Sequence, residues 1–391
     1  MSHKHITRRQ VIEGLAGISG LALFSDRLSV AADRPLVGAI RWDAWYDPAD
    51  GRVAQAVERA LGPHRYHYRM PYFGAETSED SVRINGASQS IIDQEILFAV
   101  DAGLDYWAFD SYAPENPITT ALKLYLSSSI RHALQFCMIG SIANGGSPQR
   151  YSQTTIHEIA MMAEKGYVKV LGGRPLYYLL SVSDKQITEE WGGTEGVSGL
   201  VSFIRSQVRA SGLKQPYIVL LHGDPVRDAT LARRIGCDAI GSYVIAKPRV
   251  RASFQALTID VETRWREQAA TGLPVVPTVM TGWDQRPVIE NPPFWEPDLK
   301  KIGLDEYYAE ATPEEIAQQL RDAISWVDAN KSATARTVLI YAWNECAEGY
   351  GALIPTYRAG GESPDMSRLN AVGSVLRKKR NRAFEAHDNF D

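Results

Sequence analysis

The sequence predicts an α/β fold of the (β/α)8 barrel (TIM barrel) class, in a single domain, on three observations. Eight short apolar runs alternate with eight longer amphipathic runs over about 350 residues, the count of that barrel. The apolar runs are continuous rather than alternating, as expected of parallel strands covered by helices. Polar and aromatic residues gather just past the carboxyl ends of those runs, the face on which such barrels carry their chemistry. A doubly wound open sheet is the competing arrangement, but no Gly-x-Gly-x-x-Gly follows the first run to support it.

In order, the strands are expected at 36–41 (LVGAIR), 104–109 (LDYWAF), 134–140 (LQFCMIG), 175–180 (PLYYLL), 217–221 (YIVLL), 239–245 (AIGSYVI), 274–279 (PVVPTV) and 337–342 (TVLIYA). Helical patterns fall near 89–102, 116–131, 153–165, 196–211, 226–235, 253–271, 312–329 and 366–380. Thr312-Pro313-Glu314-Glu315 opens one of them with an N-cap hydroxyl, a proline at the first helical position and early acids. Two long insertions, 42–88 after the first strand and 280–311 after the seventh, are placed by the barrel on its catalytic face, where they are expected to wall a site.

Thr7-Arg8-Arg9-Gln10-Val11-Ile12 precedes a weakly apolar run to Phe24, and Ser29-Val30-Ala31-Ala32 supplies small residues for signal cleavage. This pattern resembles a twin-arginine export signal over residues 1–32. It implies a barrel over 33–380, a polar tail over 381–391, the twin-arginine machinery as a partner, and a periplasmic or secreted destination. No stretch of 18 unbroken apolar residues occurs, so no stable membrane association is expected. The whole chain has a net charge of −4, and removing residues 1–32 takes four basic and two acidic groups with it. That balance offers no footprint for nucleic acid or an anionic membrane, and Arg377-Lys378-Lys379-Arg380 reads as a solvated helix end. Cys137, Cys237 and Cys346 are too few and too spread for a disulfide framework, and no metal-ligand spacing or cofactor motif is seen. Cys137 and Cys237 read as small buried hydrophobes. Cys346 is a conceivable but weak thiol nucleophile.

Residues expected at the barrel mouth are Arg41, Trp42, Asp43, Trp45 and Tyr46, then Asp110 and Tyr112, Asn144, His222, Tyr243, and the loop Trp283, Asp284 and Arg286. The last strand ends in Trp343, Asn344 and Glu345, with Glu348 three residues on. Rings that stack on pyranose faces, beside groups that bond hydroxyls, describe a sugar cleft. Trp107, in mid-strand, reads as packing. In a helical or turn-like backbone, Glu345 and Glu348 would stand about 5–6 Å apart. Retaining glycosidases separate their paired carboxyls by about 5–5.5 Å.

The segment Trp343-Asn344-Glu345-Cys346-Ala347-Glu348-Gly349, with Ile354-Pro355-Thr356 after it, resembles the Asn-Glu-x-x-Glu-Gly…Glu-Pro segment of glycoside hydrolase family 99 and its polysaccharide-biosynthesis-associated relatives. Gly282-Trp283-Asp284-Gln285-Arg286-Pro287 resembles that family's Gly-Trp-Asp-x-Arg-Pro loop, and Ala102-Gly103-Leu104-Asp105 its Ala-Gly-Ile-Asp strand. The resemblance implies a (β/α)8 barrel acting with retention on α-mannosides. It makes Glu345 the base that draws a proton from the substrate's own 2-hydroxyl, and Glu348 the general acid/base. Family members carry Trp-His where this chain has Cys346-Ala347, and an acid where it has Ile354. Both changes are expected to reshape the wall of the sugar subsite. A non-catalytic sugar-binding barrel in surface polysaccharide assembly is the alternative reading. Metal-dependent hydrolysis is disfavoured by the single His near a strand end.

Overall fold

The computed structural model describes residues 34–46, 51–350, 352–361 and 363–385. The export signal expected over 1–32 lies outside them. Eight parallel strands form the centre: β1 Leu36–Arg41, β2 Tyr106–Asp110, β3 Gln135–Ser141, β4 Arg174–Leu180, β5 Tyr217–His222, β6 Ala239–Ser242, β7 Thr278–Met280 and β8 Thr337–Tyr341. Their spatial order is β6-β5-β4-β3-β2-β1-β8-β7. The ring closes just before β7: Ile240 of β6 donates to the Pro274 carbonyl at 3.0 Å and accepts from Val276 at 3.0 Å. The fold is therefore a (β/α)8 TIM barrel.

Eight helices follow the strands in turn: α1 Gln89–Asp101, α2 Thr120–Ser127, α3 Gln153–Met161, α4 Thr194–Ala210, α5 Pro225–Ile235, α6 Phe254–Ala270, α7 Pro313–Ala329 and α8 Ser367–Glu385. At α7 the predicted cap is complete, since Thr312 accepts from Glu315 N–H while the Glu315 carboxylate accepts from Thr312 N–H. Helix α8 runs five residues past its expected end at 380, into the segment expected as a polar tail. No helix among the described residues is long and apolar enough to cross a membrane.

Besides α8, and α3, which ends at Met161 rather than 165, three elements differ from expectation. Strand β6 stops at Ser242 rather than 245, because its pairing with β5 ends at His222↔Ser242 and the chain has no further partner there. Strand β7 keeps only Thr278–Met280, since Pro274 and Pro277 have no N–H for the ladder. The run 116–131 breaks into a 3-10 turn, α2 and a second 3-10 turn; its three consecutive serines, 127–129, are weak helix formers that favour turns.

The barrel interior is packed at its amino-terminal end. Tyr106 of β2 lies inside, its hydroxyl 2.8 Å from Tyr178 of β4 and 2.9 Å from Thr337 of β8. Gly38 of β1 makes room for it, as a Cβ there would stand 2.2 Å from the Tyr106 ring. Since side chains alternate along a strand, Ala108 and Asp110 also point inward, and Trp107 and Phe109 face the helices. Trp107 is fully buried, as its packing role predicts.

Candidate active site

At the carboxyl end of the barrel a cavity of about 490 Å³ opens. Asp110 enters from the end of β2, followed by Ser111 and Tyr112; Ile139–Ser141 come from β3, Leu180 from β4 and Tyr243 from just after β6. Glu345 and Glu348 arrive from the turn after β8. That turn is closed by Gly349 N–H donating to the Glu345 carbonyl at 3.4 Å, so the backbone between the two acids is turn-like, as the spacing argument requires. Both predicted insertions reach the cavity, the first through Trp42 and Val53, the second through Phe294, Trp295 and Glu296. Asn144 completes one rim.

Aromatic residues make one wall. Trp42 and Trp295 meet edge to face with centroids 5.7 Å apart, and Trp42 Nε1 donates to the Tyr112 hydroxyl at 2.8 Å. Facing them are four carboxyls: Asp110, Glu296, Glu345 and Glu348. No Lys, Arg or His lines the cavity among the described residues. The Tyr243 hydroxyl donates to Asp110 Oδ2 at 2.6 Å and lies 3.3 Å from Glu345 Oε1. A phenol has one proton, and the shorter contact assigns it to Asp110. Glu345 is 4 % exposed, and its Oε2 is buried at the cavity with no protein partner. A buried acceptor left open in this way is suited to a hydroxyl supplied by a ligand.

Electrostatics in so acidic a pocket favour protons. Burial drives the Glu345 carboxyl well above the usual carboxylate range, and the charges of Glu348 and Asp110 push the same way. Glu348 is raised to about 8 by burial and by the Glu296 charge, with a hydrogen bond from Trp295 opposing. Burial lifts Asp110 to about 7 against the Tyr243 hydrogen bond, and it raises Glu296 as well. Such groups lose their protons as a set, in macroscopic steps.

A second layer of predicted residues stands behind the cavity. Arg41 stacks on the helix-facing Trp107 ring at 4.4 Å and donates to Asp43 at 2.8 Å, Glu95 of α1 at 2.7 Å and the Tyr46 hydroxyl at 2.6 Å. The Tyr46 hydroxyl donates in turn to Glu95. Trp343 Nε1 donates to Glu95 at 2.6 Å, and Asn344 bridges Asp43 to the Trp42 backbone, both at 3.0 Å. Arg41, Asp43, Trp45, Tyr46, Trp343 and Asn344 are all buried and none lines the cavity. Their expected contact with a ligand is corrected to a positioning role. The reason is that Arg41, Asp43, Tyr46, Trp343 and Asn344 are bonded into one network with Glu95 of α1, while the Trp45 segment packs against the helix Arg52–Leu61.

The loop after β7 is corrected likewise. Asp284 is locked between Arg69 and Arg286, with Arg286 donating to it at 2.8 and 2.7 Å. Trp283 rests 5.8 Å from the Tyr341 ring, and the loop shapes a smaller side cleft with Tyr68 and Tyr350. His222 also misses the cavity, its Nδ1 lying 3.0 Å from Asp228 at the start of α5. Cys346 is fully buried with its thiol pushed up by burial, which removes it as a nucleophile. Cys137 and Cys237 are free and buried, as expected. Ala347 and Ile354 are buried too and do not line the cavity, so the substituted positions are interior packing.

Sequence reasoning missed Phe294, Trp295 and Glu296, although two rings and an acid between Pro293 and Pro297 inside a predicted wall were a usable signal. It also missed Glu95 and Glu158, acids within helical patterns that only the fold shows to be buried. Glu158 accepts from Tyr177 at 2.6 Å and is raised by burial to about 7. Together with Asp43 and Asp110, both near 7, and Glu348 near 8, it gives the native state protons that the unfolded chain has released. Stability should therefore fall as pH rises from about 5 to about 8. Thermal unfolding across that window should show a declining Tm, and Glu158→Gln should flatten the decline without touching the carboxyls of the cavity.

No protein-family model matches the chain, and no curated protein is significantly similar to it. Among solved structures, it is similar to the GH99 endo-α-mannosidase of Bacteroides thetaiotaomicron in complex with bis-tris-propane, at 14 % identity and a TM-score of 0.53, over 89 % of this chain and 98 % of that one. A second structure of a GH99 endo-α-mannosidase from that organism aligns at 12 % identity and a TM-score of 0.50, over 88 % and 97 %. At these identities the likeness is one of fold.

Proposed function

We propose that this chain is a retaining glycosidase acting on a poly- or oligosaccharide, with an α-mannoside-like sugar the favoured class. One observation carries the reading: Glu345, whose buried Oε2 has no protein partner, lines a cavity together with Glu348 and an aromatic wall. Glu345 takes the proton from the sugar's 2-hydroxyl, whose oxygen attacks the anomeric carbon and expels the aglycone. Glu348 gives its proton to the departing oxygen, then removes one from the water that attacks the anomeric carbon, while Glu345 returns its proton to the 2-oxygen as the C1–O2 bond of the 1,2-anhydro sugar breaks. An acid with a pKa near 8 still holds its proton at neutral pH, as the first step demands. Glu345, held above the usual carboxylate range by burial and by Glu348 and Asp110, must give up its proton for its part, and a substrate hydroxyl donated to its unpartnered Oε2 is the contact that would stabilise that charge.

The motif likeness around Glu345 and Glu348 and the shared fold support the assignment. The Thr7-Arg8-Arg9 segment supports export by the twin-arginine machinery to the periplasm or medium. The test of retention is time-resolved proton NMR of the first product formed, in which the released anomer should match the configuration of the cleaved bond. Trp295→Ala should weaken glycan binding about tenfold by removing one stacking face, read in KM or Kd, and should shift the pH dependence of kcat as well, because Glu348 loses the hydrogen bond that opposes its raised pKa.

A further inference from the structure

The 3-10 segment His64–Arg69 places two imidazoles on one side, because residues three apart eclipse in that helix. The hairpin strand Ala75–Ser78 brings Glu76 against them. One ligand atom from each of His64, His67 and Glu76 lies within 4.8 Å of the other two. The His64 and His67 ring centroids are 5.2 Å apart, and His67 Nδ1 is 2.9 Å from Glu76 Oε1.

The partner on the other side of His67 decides what this contact means. Its Nε2 lies 2.6 Å from the Gly62 carbonyl oxygen, which can only accept, so Nε2 carries the hydrogen. In the neutral ring Nδ1 is then a bare lone pair, and it faces a carboxylate oxygen. Two acceptors at that distance are bridged by a proton, and a small outward shift of the exposed Glu76 side chain would let a metal cation take its place. A ring N–H donated to a backbone carbonyl is also the arrangement that fixes a metal-binding histidine in its tautomer. His67 is buried and held, while His64 and Glu76 are exposed, Glu76 also bonded to the Tyr357 hydroxyl, so His64 is the side chain that would close the remaining gap.

We infer that His64, His67 and Glu76 form a zinc-type divalent metal site. Two imidazoles, one carboxylate and a water complete a tetrahedral shell, a donor set that suits zinc and excludes magnesium as a competitor. The site would tie the 3-10 segment to the hairpin. The same segment carries Arg69, which grips Asp284 in the loop after β7, so the metal braces the side of the barrel mouth from outside the cavity.

The test uses untagged, chelator-treated full-length protein titrated with Zn2+ against a fluorescent zinc indicator. Wild type should take up one equivalent, with a rise in Tm, that Mg2+ does not reproduce. His64→Ala should bind that equivalent at least about tenfold more weakly. Its metal-free Tm should be unchanged, because His64 is exposed. Glu76→Gln, which keeps a hydrogen-bonding partner for His67, should weaken binding as well. Co2+ should give the intense visible absorption of a four-coordinate site in wild type and lose it in His64→Ala. His3 and His5 can add background binding, so the difference between wild type and variant is the readout. Equal uptake by both proteins, or no uptake by wild type, would overturn the site and leave a proton between His67 and Glu76.

Discussion

Glu348→Gln is expected to lose about 10²–10⁴-fold in glycan cleavage while gaining stability at pH 8. Both effects follow from one placement. The carboxyl is raised to about 8 because burial and the Glu296 charge disfavour its ionised form. The native state thus holds a proton that the unfolded chain releases near pH 4.5, and stability is lost as pH rises through that window. Each unit of such a shift corresponds to about 1.4 kcal/mol, and partial access of cavity water discounts the total. Replacing the acid by its neutral isostere should therefore stabilise by about 1–3 kcal/mol at pH 8 and by little at pH 5. Urea unfolding at the two pH values, beside reducing-end assays, checks both parts. A variant that lost activity through misfolding would show lower stability, so the paired readout separates catalysis from structure.

Arg41→Met should be the most destabilising single change, at about 3–5 kcal/mol. It leaves Glu95 and Asp43 buried and facing each other without the guanidinium that holds both. It also loosens Trp343 and Asn344, which are bonded to those same acids and directly precede Glu345. Cleavage should fall with it even at temperatures where the variant is folded. A double-mutant cycle with Glu95→Gln is the check: the pair should cost clearly less than the sum of the single changes, because removing Glu95's charge removes much of the reason Arg41 is needed.

Much of this was legible in the chain. The eight strands could be read because parallel strands buried on both faces are runs of apolar residues, and the two acids after β8 stood out against one of them. What could not be read was depth. Arg41, Asp43, Trp343 and Asn344 look like mouth residues because they lie at strand ends, but which side of the backbone they occupy depends on α1 supplying Glu95 from 54 residues away. The loop at Trp283-Asp284-Arg286 failed for a similar reason, since its partner Arg69 comes from the first insertion. Glu296 had a local signal in the rings and prolines around it, but its electrostatic partners, Glu348 and Glu345, lie about fifty residues further along, so its place beside them could not be read. Conversely, the substitutions at Cys346, Ala347 and Ile354 looked like changes to a subsite and are interior packing.

The Glu345–Glu348 pair is proposed to cleave a glycosidic bond. The most direct test is to expose wild type and Glu348→Gln to a defined panel of neutral, α-mannoside-containing and other polysaccharides and to quantify newly formed reducing ends. Wild type should release reducing ends from at least one glycan, and the variant should lose that release while still binding. A panel on which wild type binds glycan but frees no reducing ends, or on which the variant cleaves as fast as wild type, would contradict it.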